Sequence, residues 1–87
     1  MTLLQLQKAV AGKKLAVGVK QLRKALNAGF AHCVFLASDA DPAVTEPVAA
    51  LCAQRSVEAY WVRSMADLGR ACGIDVGAAA AAVISNL

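Results

Sequence analysis

The sequence predicts an α/β sandwich, a central sheet with helices on both faces. Two observations carry that expectation. Helical patterns alternate with short apolar runs along the chain, and the run HCVFLA is almost continuously apolar, as in a strand covered on both sides. With 87 residues the chain is sized for one domain, 1–87, that buries roughly two thirds of its unfolded surface. Its hydrophobic residues make up 59% and its aromatics only 5%, with alanine supplying much of the excess, which describes a compact globule.

Each element has a local cause. Thr2 can cap a helix over LLQLQKAVA, whose leucines and Val10 recur at spacings of three and four before Gly12 ends it. Lys14 to Val17 is a short strand. A helix from Gly18 to about Ala28 follows, with Leu22, Ala25 and Leu26 on its apolar side and Gly29 as its stop. His32 to Ala37 is the buried strand. Asp41 is placed to cap and Pro42 to open a helix reaching about Arg55. Glu58 to Val62 is a strand. Ser64 caps MADLGRAC, with Asp67 forming a partial capping box and Gly73 closing the helix. From Gly77 onward alanine favours helix and Val83-Ile84-Ser85 favours strand, so pattern alone leaves the tail open.

Charge is distributed unevenly. Lys8, Lys13, Lys14, Lys20, Arg23 and Lys24 all precede the first acid, Asp39, after which Arg55, Arg63 and Arg70 stand against every acid of the chain. A basic first part suits an anionic partner such as nucleic acid, and equally a solvated surface. No uncharged stretch approaches the roughly 20 apolar residues of a membrane span, and MTLLQLQKAV lacks the pattern of a secretory leader, so the expected location is the cytoplasm. Cys33, Cys52 and Cys72 have no CxxC spacing and are expected to be buried thiols without a disulfide or zinc site.

The stretch GVKQLRK sets Lys20, Arg23 and Lys24 near the positive end of a helix macrodipole, each at a cost of about a few tenths of a kcal/mol. Lys20, Gln21 and Lys24 share the face away from Leu22, Ala25 and Leu26. Free N–H groups at such a helix start can meet phosphate oxygens, and Lys and Gln can reach base edges. An ordinary exposed helix surface would carry the same residues. In GIDVG, Ile74 and Val76 either tuck under their loop or form an apolar platform for a splayed base, with Asp75 as a polar neighbour.

Asp39 and Asp41 precede Asp-Pro in a turn and are expected to be capping groups, so no metal is assigned. His32 and Cys33 are neighbours on a strand and point to opposite faces, which excludes them as a nucleophile–base pair. No catalytic residue is assigned. Tyr60 and Trp61 alternate across a strand and are expected to be packing residues.

Taken in order, GVKQLRKAL at 18–26, ASDADP at 37–42, ALC at 50–52 and SMADLGRACGIDVGAAAAAVI at 64–84 resemble the kink-turn RNA-binding proteins of the ribosomal protein L-seven-Ae family, particularly its short bacterial members. The resemblance implies a three-layer α/β/α sandwich around a four-stranded mixed sheet, with the tail forming a strand near Ala79 to Ser85. It also implies no enzymatic activity and no cofactor. The implied partner is structured RNA with a kink-turn, where tandem sheared G·A pairs follow a bulge, in ribosomal or regulatory RNA, with the ribosome as a candidate setting; the protein itself is expected to be a monomer. Gly18 and Lys24 match the family motif, while Val19, Lys20 and Gln21 stand where archaeal members have Thr, Asn and Glu. Lysine followed by glutamine resembles the bacterial pattern, and Gln21 is a weaker acceptor than an acid for guanine N–H groups. Lys14 matches a basic position expected to touch the RNA backbone. Asp41, Ile74, Asp75 and Val76 match positions bordering the extruded bulge nucleotide. The alternative is a protein-interaction adaptor, since relatives of this fold serve that way and the second half of this chain is acidic and apolar.

Overall fold

The computed structural model describes residues 15–84, so the expected N-terminal helix and Lys14 lie outside the described residues. Strand β1 is Leu15–Val17, β2 is Ala31–Ala37, β3 is Glu58–Val62 and β4 is Ala80–Ile84. Helix α1 is Val19–Ala28, α2 is Pro42–Gln54 and α3 is Met65–Ala71. The strands form one mixed sheet in the order β1-β4-β2-β3. Parallel β2 and β3 are joined through α2, as a parallel pair requires a crossover. β4 runs antiparallel to both β1 and β2 and lies between them.

The helices end where the sequence supplies partners for their terminal groups. Gly29 takes the left-handed conformation at φ 81° and closes α1 with its N–H on the Ala25 and Leu26 carbonyls. Asp41 accepts from the Ala43 N–H at 2.9 Å to open α2. Ser64 Oγ accepts from the Asp67 N–H at 3.0 Å to open α3. The Asp67 carboxylate instead meets Arg63 at 3.1 Å and Arg70 at 3.5 Å.

Hydrophobic burial fixes the layers. Leu22 and Leu26 of α1 and Val48 and Cys52 of α2 pack on Val34, Leu36, Ala80 and Ala82. On the other face Leu68 and Ala71 of α3 pack on Phe35, Ala37, Val62, Ala81 and Val83. Successive residues of β2 and β4 thus enter opposite cores, which explains their unbroken apolar character. Ala80, Ala81 and Ala82 are fully buried, and small side chains suit a strand covered on both faces. Their helix preference is overridden by that packing.

All three cysteines are buried thiols, and burial pushes each above its usual range. His32 is exposed and Cys33 buried, as expected from alternation, and the β2–β4 register shifts between Ala31 and Cys33, leaving His32 as the extra residue. Trp61 corrects an expectation. Tyr60 packs its ring on Phe35 at 5.5 Å between centroids, whereas Trp61 lies on edge strand β3 and is 54% exposed. Alternation with Tyr60 and Val62 turns it to the α2 face of the sheet, where at the edge the described elements leave it uncovered.

Candidate nucleic-acid interface

Strand direction brings the candidate segments together. β1, β2 and β3 all run toward the edge at which β4 begins, because β4 opposes β1 and β2, and β3 parallels β2. At that edge the Gly18 N–H donates to the Ala80 carbonyl at 3.0 Å and the Ala37 N–H to the Ala79 carbonyl at 2.9 Å. Ser38 closes the set with its N–H on the Val62 carbonyl at 2.8 Å. The start of α1, the turn leading to Asp41 and the loop before β4 therefore form one continuous border.

Gly18 leaves β1 at φ 94° and ψ 152°, a region that is essentially open only to glycine. No side chain caps α1, its first turn contains no acid, and its ladder begins with the Leu22 N–H on the Gly18 carbonyl. The N–H groups of Val19, Lys20 and Gln21 consequently have no partner among the described residues, in contrast to the capped starts of α2 and α3. Lys20, Gln21 and Lys24 are exposed, and among the described residues neither lysine has a carboxylate within ion-pair distance. All three lie on one helix, with Lys24 one turn beyond Lys20 on the same exposed side. Gln21 and Lys24 line a cleft of about 500 Å³ beside β1, with Leu15, Val17 and Phe30. Lys20 lies outside that lining, and Val19 is half-buried against the α1–α2 core.

The loop between Gly73 and Gly77 divides its apolar residues. Ile74 is half-buried and packs against the α3 core, whereas Val76 is 70% exposed beside exposed Asp75. Gly69 makes this seating possible, since a Cβ built there would lie 2.1 Å from the Val76 carbonyl oxygen. The Ile74 N–H donates to the Gly69 carbonyl at 3.0 Å and the Ala78 N–H to the Met65 carbonyl at 3.0 Å, anchoring both ends of the loop to α3. A cleft of about 320 Å³ runs along it, lined by Ala66, Arg70, Ile74, Asp75, Val76 and Gly77.

Both turn aspartates are engaged with backbone. Asp41 caps α2, and Asp39 accepts from the Met65 N–H at 2.7 Å at the start of α3. Sequence reasoning paired them as capping groups and missed that Asp39 serves a helix 26 residues further on. Two arginines stand near these segments: Arg70 lines the cleft along the loop, and Arg23 lies away from the sheet edge, on the flank of α1 toward α2. Helical spacing places Arg23 three residues from Lys20, a signal present in the sequence.

A family model for the Ribosomal protein L7Ae/L30e/S12e/Gadd45 family matches residues 2–87. The chain belongs to this family. An RNA-binding protein of Bacillus pumilus is 43% identical over 72 residues, covering 83% of this chain and 88% of its own. The RNA-binding protein YbxF of Geobacillus stearothermophilus is 41% identical over 78 residues, covering 90% and 95%. Among solved structures, the Giardia lamblia 15.5kD RNA binding protein superposes with a TM-score of 0.90 at 26% identity, covering 97% of this chain and 71% of that one. The four-stranded mixed sheet with its flanking helices is thus the architecture of this family.

Proposed function

We propose that this protein is a non-catalytic RNA-binding protein that recognises kink-turns at the edge where α1 and β4 begin. One observation carries the reading: the only described helix start without a side-chain cap presents free N–H groups, Lys20 and Gln21 on the same border as the exposed Asp75–Val76 loop. Free N–H groups and lysines suit phosphates, Gln21 and Lys24 suit purine edges, and Val76 offers an apolar surface to an unstacked base. A kink supplies what regular duplex withholds, because the major groove of A-form RNA is too narrow for side chains to enter. The RNA-binding names of the relatives support the partner class. Ribosomal or regulatory RNA in the cytoplasm, bound by a monomer, is the setting this reading implies.

Titration of a standard kink-turn against an unkinked duplex of equal length tests it. The expected result is clear preference for the kink-turn with moderate salt dependence. Equal, weak and salt-labile binding to both would refute it.

A further inference from the structure

We propose that the groove between α1 and α2 holds the sugar–phosphate backbone of an RNA stem continuing beyond the kink. This inference rests on the RNA-binding reading above and extends it to a surface away from the sheet edge. The groove, of about 460 Å³, is lined by Arg23, Asn27, Pro47, Ala50, Leu51 and Gln54. No carboxylate lines it, and the only acid on α2, Glu46, is not among its walls. Arg55, at the end of α2, donates through its guanidinium to Asn27 Oδ1 at 3.2 Å, so a second arginine is held at the groove's far end.

The cations form a track continuous with the proposed interface. Lys20, Arg23 and Asn27 follow one flank of α1 at helical spacing, and the rise from Lys20 to Asn27 is roughly 10 Å. Among the described residues neither Arg23 nor Arg55 has an ion-pair partner. Arginine forks suit phosphate oxygens, and Asn27 and Gln54 add neutral donors that match a ribose–phosphate chain without reading bases. An apolar protein segment would find only Pro47, Ala50 and Leu51 as counterparts, framed by two unpaired guanidinium groups. Charge complementarity therefore favours the nucleic-acid backbone as occupant.

The test compares two RNAs by fluorescence anisotropy: a kink-turn with stems just long enough to hold the kink, and the same motif with each stem in turn extended by a full helical turn. The native chain is expected to bind one extended RNA more tightly than the short one. Arg23→Gln with Arg55→Gln should weaken binding to that extended RNA on the order of three- to tenfold and lower its salt slope by about one to two, with less than about a twofold change for the short RNA. Gln54→Glu, which removes no arginine contact and adds a like charge to phosphate, should act in the same direction.

Extension without effect on the native chain would overturn the proposal, as would variants that weaken both RNAs equally or neither. The last outcome would leave the groove to a protein partner. Failure of the native chain to prefer the short kink-turn over an unkinked duplex would instead overturn the RNA reading itself, so the two failures are distinguishable.

Discussion

Replacing Gly69 by alanine sets a helical preference against a steric demand. In a helix interior alanine is favoured over glycine by about 1 kcal/mol, so an unobstructed site would be stabilised. Here the added Cβ would lie 2.1 Å from the backbone oxygen of Val76, where ordinary contact begins at 3.4 Å. The loop must retreat by roughly 1 Å, and its two anchoring hydrogen bonds to α3 resist that movement. Overpacking against backbone costs typically about 1–3 kcal/mol, and a contact this short belongs at the upper end. The net expectation is a loss of about 2 kcal/mol, or a fall in melting temperature of about 10 °C for a chain of this size. Differential scanning calorimetry measures the fall, and anisotropy titration below the transition should show weaker kink-turn binding with unchanged binding to plain duplex. A rise in melting temperature for Gly69→Ala would refute the seating of the loop on α3.

Other substitutions separate binding from folding. Lys24→Ala should cost on the order of 1–3 kcal/mol of kink-turn binding with little change in melting temperature, because Lys24 is exposed and without an ion pair among the described residues. Normal binding by that variant would remove Lys24 from the interface. Asp41→Ala should lower stability by about 0.5–2 kcal/mol in urea unfolding through loss of the α2 cap. The buried thiols predict a pH effect of definite sign. Their folded pKa values are raised, so their contribution to stability is constant below the ordinary thiol value of 9.0 and falls as pH climbs above it, since only the unfolded chain then releases those protons. Urea midpoints at pH 7 and pH 10, repeated after replacing the cysteines by alanine, should show that decline shrink.

The architecture was legible because it depends on local pattern. The apolar run through Cys33 and Ala37, the Asp41-Pro42 start and the Gly29 stop each name an element without reference to the remainder of the chain. What stayed open in the pattern depends on neighbours far away in sequence. Ala80 to Ala82 read equally as helix until β1 and β2 flank them, and Trp61 reads as core until the helix on its face of the edge strand β3 proves to leave it uncovered. The candidate site behaves likewise. Lys20, Gln21 and Lys24 were identifiable from helical spacing, yet which of them border the cleft beside β1, as Gln21 and Lys24 do, depends on how α1 is seated on the sheet. Asp39 could not have been assigned to α3 from its own turn.

The placement of β4 also orders events during synthesis. Of the described strands it is the last made, yet it lies inside the sheet and carries the Ala79 and Ala80 carbonyls that tether β2 and the start of α1. A chain emerging from the ribosome can complete α1, β2, α2 and β3 while Gly18 still has no Ala80 to hold it. Because domains generally fold as units, the border between α1 and the loop before β4 forms only when residues 80–84 have emerged. Nascent chains thus carry their cations before they carry a shaped surface, and the selective capture of a bent RNA proposed above would belong to the finished molecule.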